Sequence, residues 1–451
     1  MPEPQRLTTQ DPQDGMPAPV TLHAEYLPNI RQVSVQISIP GSGSDSNDGN
    51  GSQPEISLSE SRRAVSVSFT HPEHGYVSET AKLPARVTEA SRRALSSSRA
   101  QSSNGNGKGL GKEPREYEYS YRMQVDESEL AQTRQDAVDQ HMDSFVPWSA
   151  GDMAPFTRLA CKQCEAVILG DPVQQAETPG WVWKDLPSGN WAEMMDFWHC
   201  HKPDPEPGDT AQGAEDENSL VKGYGASNQV LATKGTVLVD VATFLVSEVE
   251  CMGLKKVTKR HPNESLLPSE EELVCKQCDG LIGVVDPIAK GLRLFKTSLS
   301  AAFAPERSLG DPTWESHPTE LVVAAQLLEL IERESARRFI IHCGEKDGLL
   351  LWVFNPDMRY SNSSSKHSIS SQRAMKVFYQ AIADVEGMLH PEPGKTSSLS
   401  LEELRLPVGT YASLLAAVET SNCVLPQSAR TFQGNWRVGI LHRFEKKRTS
   451  S

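Results

Sequence analysis

Long apolar runs are missing from this chain. No stretch of its 451 residues approaches the roughly 20 consecutive apolar residues that cross a bilayer, and the opening MPEPQRLTTQ lacks the apolar core of a secretory signal. A soluble protein of the cytoplasm or nucleus is expected, with no membrane partner. Positive charge is short as well. The 45 Lys and Arg residues face 59 Asp and Glu, a formal net charge of -14, which argues against nucleic acid as a partner, because displacing counterions from phosphates needs a positive surface. The basic run Glu445-Lys-Lys-Arg448 reads as a solvated tail. Cysteine is scarce, with eight in the whole chain. In a reducing compartment, paired cysteines are metal ligands more often than disulfides.

What is present is a short sentence written twice: Leu159-Ala-Cys161-Lys-Gln-Cys164-Glu-Ala-Val-Ile168 and Leu273-Val-Cys275-Lys-Gln-Cys278-Asp-Gly-Leu-Ile282. A Cys-x-x-Cys turn can bring two thiolates to one ion, and two turns supply the four soft ligands of a tetrahedral zinc. Cys161, Cys164, Cys275 and Cys278 are therefore the candidate ligands of a structural zinc. The 110 residues between Cys164 and Cys275 far exceed the roughly 12 to 20 of compact zinc modules, so a shared ion would staple distant parts of the chain. Separate sites and a redox dithiol are the alternatives. Neither copy has the aromatic, Gly-Pro surroundings of a redox motif.

Polar tracts at Gly41 to Ser52, Ser96 to Lys112, Pro203 to Asn218 and Ser361 to Ser371 read as flexible insertions. Between them, Ile30 to Ile39, Ala64 to Phe69, Lys82 to Val87 and Tyr117 to Val125 alternate apolar and polar residues as half-buried antiparallel strands do. Val237 to Val249 fits a strand or a short buried helix. Helical spacing marks Pro318 to Arg338, Gln372 to Leu389 and Thr410 to Thr420, and Ser400-Leu-Glu-Glu403 reads as a capping box before another short helix. Phe339 to Cys343 and Leu349 to Phe354 flank Gly-Glu-Lys-Asp-Gly as a hairpin. The fold class expected is α+β: a β-rich N-terminal domain over 1–130, a zinc-stapled middle region over 131–290 and a mixed α/β lobe over 291–451.

Within the middle region, Asn190 is placed to cap a helix whose Trp191, Met194, Met195 and Trp198 share one face, expected to pack on the domain core. His199-Cys200-His201 follows. Adjacent residues cannot all point at one ion from a helix, so Cys200 or His201 is a substitute ligand at most.

Four stretches together resemble a known family: Asp185-Leu-Pro-Ser-Gly-Asn-Trp-Ala-Glu-Met-Met-Asp-Phe-Trp-His-Cys-His201, Leu351-Trp-Val-Phe-Asn-Pro-Asp-Met-Arg-Tyr-Ser361, Ala374-Met-Lys-Val377, and Leu425-Pro-Gln-Ser-Ala-Arg-Thr-Phe432 with Trp436. They are similar to the HECT-like ubiquitin ligases that bind ubiquitin-conjugating enzymes, in a fungal member. The resemblance implies a conjugating enzyme, ubiquitin and a protein substrate as partners, and transfer of ubiquitin to substrate lysines or to the ligase itself through a cysteine thioester. Of the cysteines outside the two repeats, Cys200, Cys251, Cys343 and Cys423, the last is nearest the C-terminus, where a HECT enzyme keeps its nucleophile. Asn422 and Val424 depart from the threonine and phenylalanine that flank a HECT cysteine. A second reading stays open: a non-catalytic, zinc-stabilised scaffold in a larger assembly such as the messenger-RNA 3′-end processing machinery, with which a fungal relative is associated.

Overall fold

The computed structural model describes residues 20–40, 54–71, 75–97, 116–129, 145–172, 180–186, 230–258, 271–304, 312–363, 370–391 and 401–446. They are mostly strand, with few helices, and they belong to two compact units. The first draws on Met1–Asp139, Asp357–Ala374 and Thr420–Gly439, the second on Gln140–Pro356, Met375–Glu419 and Ile440–Ser451.

In the first unit, alternation does what the sequence pattern leads one to expect. Thr21–Leu27, Gln32–Pro40 and Glu116–Gln124 pair antiparallel, with residues 360–362 along the other edge of Thr21–Leu27. A second antiparallel sheet joins Glu55–Leu58, Ala64–His71 and Gly75–Lys82. Leu22, Ala24, Val33, Val35 and Ile37 from one sheet share a core with Val65, Val67 and Ala81 from the other, so the two sheets form a sandwich. Lys82 closes its strand, and Val87 makes only an isolated bridge to Val125.

The second unit holds a seven-stranded sheet ordered Leu254–Thr258, Glu271–Cys275, Leu281–Asp286, Gly291–Phe295, Thr243–Val246, Thr236–Val239 and Val182–Asp185, and a three-stranded sheet of Leu299–Ala302, Arg158–Cys161 and Val167–Leu169. The ambiguous run Val237 to Val249 is thus two short strands. It turns at Asp240, whose carboxylate accepts from the Val241 amide and the Thr243 hydroxyl. Elsewhere in this unit the helix Thr319–Glu334 buries Val323, Ala324, Leu327 and Leu328 against Phe339, Ile341, Leu351 and Val353, and Leu414 and Val418 of the helix Val408–Cys423 join the same core. The expected hairpin forms: Arg338–His342 pairs antiparallel with Gly348–Asn362.

Two helical expectations fail. Gln372–Ile382 is a strand, followed by the short helix Val385–Leu389. Met375, Val377, Phe378 and Tyr379 are all buried, and a strand covered on both faces is apolar nearly throughout, which spacing alone confuses with a helix. Leu401–Arg405, read as following a capping box, is a strand parallel to Arg338–His342. Pairing across some sixty residues of chain overrode a local signal.

A charged side chain lies inside the second unit. Lys296 is fully buried, its ammonium donating to the carbonyls of Pro147 (2.9 Å) and Trp148 (3.0 Å) and sitting 5.2 Å from the Phe244 ring centroid. Burial pushes it down to about 7, against the pull of Asp240, Asp185 and Asp152. The turn it holds puts Trp148 in the left-handed region (φ 55°).

Candidate metal centre

Each Cys-Lys-Gln-Cys sits at the tip of a hairpin, and the two hairpins are built alike. Leu159 pairs with Leu169 and Ala160 with Val167; Leu273 pairs with Gly283 and Val274 with Leu281. Both ladders slip between these same two positions. The Cys161 amide donates to the Ala166 carbonyl and Cys275 to Gly280, while Glu165 and Asp279 donate back to Cys161 and Cys275. Glu165 and Asp279 both adopt φ 59°. Each knuckle is also held in the same way by the residue just before a third strand, Lys162 donating to the Ser298 carbonyl and Lys276 to that of Gly253. A duplicated sequence has folded into a duplicated module.

The copies diverge where Leu169 corresponds to Gly283. A methyl group on Gly283 would collide with the Arg293 carbonyl oxygen, backbone that cannot step aside. Gly283→Ala is expected to lower stability by about 1 to 3 kcal/mol in a denaturant titration; an unchanged midpoint would contradict this close approach.

The hairpins bring the four thiols together. The Sγ atoms of Cys161, Cys164, Cys275 and Cys278 all lie within 4.8 Å of one another, with Cys161–Cys278 and Cys164–Cys275 each at 3.6 Å. A tetrahedral ion with metal–sulfur bonds of about 2.3 Å holds its sulfurs about 3.8 Å apart, so the donor set fits a metal ion. Backbone amides converge on the same sulfurs. Cys161 accepts from Cys164 and Gln163, and Cys275 from Gln277 and Cys278, bonds that favour thiolate. Burial nonetheless raises the Cys161 thiol. At Cys275, burial is overcome by those amides and by the neighbouring thiols, and the group is lowered. The Ala166 amide draws Cys164 down, but burial and the three other thiols push it up to about 12. Four sulfurs this close cannot all ionise side by side; a divalent cation removes that conflict.

The remaining described cysteines are separate. Cys251 bridges to Leu169, and burial with Glu250 and Glu248 pushes its thiol up to about 12, as suits a packed residue. Cys343 follows Arg338–His342, raised by burial and by Glu345 and Asp347. Cys423 is the last residue of the helix Val408–Cys423, and it is exposed. The Arg430 guanidinium caps its carbonyl at 2.9 Å. The buried Asn422 beside it donates to the carbonyls of Arg430 and Val438, both at 2.8 Å. Arg430 belongs to the block 425–432 that carries the resemblance and Asn422 stands beside the cysteine, but residue type alone does not show that either secures the helix end. His199, Cys200, His201 and the helix expected from Asn190 lie outside the described residues, although Trp181 and Trp183 just before them are anchored by their indole N–H groups to Gly170 and Ala154 carbonyls.

The model of the HECT-like ubiquitin-conjugating enzyme (E2)-binding family matches residues 25–438. The chain belongs to this family. Similar proteins include an uncharacterised protein of Schizosaccharomyces pombe, 26% identical over 67% of this chain and 79% of its own length. An uncharacterised protein of Saccharomyces cerevisiae is 22% identical, over 62% of this chain and 67% of its own. The E3 ubiquitin-protein ligase E3D of Homo sapiens is 25% identical, over 60% and 69%. No solved structure matches. Among the described residues of this family member, no helix is long and apolar enough to cross a membrane.

Proposed function

We propose that this member of the E2-binding family is a ubiquitin-protein ligase that docks a charged conjugating enzyme and passes ubiquitin to a substrate lysine or to itself, in the cytoplasm or nucleus. The observation that carries the reading is the family match over 25–438, supported by relatives named as E3 ubiquitin-protein ligases. Zinc in the four-thiol cluster is architectural: when bound it supplies charge neutralisation and a link between two hairpins, and it takes no part in transfer.

Cys423 is the nucleophile in this reading, being the exposed thiol among the described cysteines. Its thiolate attacks the carbonyl carbon of the ubiquitin thioester on the conjugating enzyme. The new carbon–sulfur bond forms as the old one breaks, and the enzyme's cysteine leaves as thiolate. A lysine amine then attacks the ubiquitin thioester on Cys423. An isopeptide bond forms, Cys423 departs as thiolate, and the amine gives up its proton. Arg430 and Asn422 hold the helix end so that the thiol stays presented.

One observation favours the scaffold reading: Cys423 ends a helix, where the dipole's negative pole works against a thiolate. A non-reducing ubiquitin-charging assay separates the two. A thiol-sensitive ubiquitin adduct on the wild type that disappears in Cys423→Ser supports transfer. An adduct that persists in Cys423→Ser moves the nucleophile elsewhere, and no adduct, with the conjugating enzyme still bound, supports the scaffold.

A further inference from the structure

The two knuckles are equivalent in backbone but not in what covers them. Cys161 and Cys275 are buried, whereas Cys164 and Cys278 are partly exposed, so the second cysteine of each turn forms the solvent-facing edge of the cluster. Gln163, from the first knuckle, reaches across to the second. A methyl group placed on Gly280 would lie 2.9 Å from Gln163 Oε1 and 3.3 Å from Cys278 Sγ, so the carboxamide rests in the space that a side chain at 280 would take, beside the Cys278 sulfur. Gly280 has no left-handed φ to explain it. The corresponding position in the first knuckle is Ala166, which carries the methyl group that Gly280 lacks. Glycine at 280 is therefore a socket.

We infer that Gln163, seated in the socket of Gly280, is a positioning residue that shields the Cys278 edge of the metal cluster and slows loss of its ion, while the sequence-equivalent Gln277 has no such role. The physical basis is access. A chelator reaches a four-thiolate ion through its exposed sulfurs, and although Gln163 is itself an exposed residue, its carboxamide oxygen near the half-buried Cys278 narrows the approach from that side. The second sphere of a site governs how it exchanges its ion, even when the ligands are unchanged.

The inference rests on the metal reading above. Its test is the rate at which the zinc-loaded full chain surrenders zinc to a chromogenic chelator. Gln163→Ala and Gly280→Ala are each expected to speed release by about tenfold, and Gly280→Ala is expected to add nothing in the Gln163→Ala background. Gln277→Ala should release at the wild-type rate. Cobalt-loaded samples provide a control, since an unchanged thiolate-to-cobalt absorption band shows that the four ligands and the fold are intact in each variant. A wild-type protein that takes up no zinc would overturn the metal reading and this inference with it. A protein that binds zinc but releases it equally fast in all variants, or in which Gln277→Ala matches Gln163→Ala, would overturn the inference and leave the metal site standing.

Discussion

Cys275→Ser is expected to cost the protein its bound zinc and several kcal/mol of stability. Cys275 is fully buried, its sulfur 3.6 Å from Cys164, and it holds one of two hairpins that belong to different sheets. Structural zinc in small thiolate modules contributes roughly 10 kcal/mol of binding free energy at neutral pH, most of it available only when the ligands are already arranged. In a larger core, part of the arrangement survives without metal: Leu159, Ile168, Leu273, Ile282 and Leu299 share one apolar cluster with the two buried cysteines. A loss of at least about 3 kcal/mol remains the expectation, because the variant forfeits the ion and leaves three crowded thiols. Elemental analysis should give about one zinc per wild-type chain and none in the variant, and a chelator should lower the thermal midpoint of the wild type alone. A wild type whose midpoint is indifferent to chelator would remove the staple from this account.

The second large effect concerns Lys296. In the unfolded chain this lysine titrates near 10.5, and in the folded state at about 7. Between those values the unfolded state binds the extra proton, so stability rises with pH across the window; below about pH 7 both states are protonated and the slope vanishes. The full span is worth on the order of 5 kcal/mol. Lys296→Met removes the slope and also strands two buried carbonyls, those of Pro147 and Trp148, each costing about 1 to 3 kcal/mol. Denaturant midpoints should therefore show the wild type gaining on the variant from pH 7 to 10, with the gap smallest and level below about pH 7, where the wild type bears a buried charge that the variant lacks. Parallel pH profiles for the two proteins would mean that Lys296 stays protonated throughout.

Much of the first unit is legible from its residues. Val33, Val35, Ile37 and Val65, Val67, Phe69 alternate with polar partners, and each set turns one face to the shared core. Thr319–Glu334 and Val408–Cys423 were legible for the same kind of reason, their apolar residues recurring at helical intervals. Gln372–Ile382 was not, because a strand with both faces covered carries no alternation to read. The strand Leu401–Arg405 is not legible either, because its partner, Arg338–His342, is distant in sequence, and a capping-box pattern describes only four neighbours.

The metal centre divides along the same line. Residue type and the repeated Cys-Lys-Gln-Cys spacing by themselves determined which four thiols could be soft ligands, since each turn is a local structure that a short sequence specifies. They also marked the family, because the blocks that identify it are contiguous. Only the tertiary structure decided that the two turns meet, that their hairpins match down to the bulge and the left-handed residue, and that Gln163 lies over Gly280. It alone placed Lys296 in the interior, and set Cys423 at a helix end. Those are relations across many residues of chain, settled by which apolar faces pack together, and no local pattern encodes them.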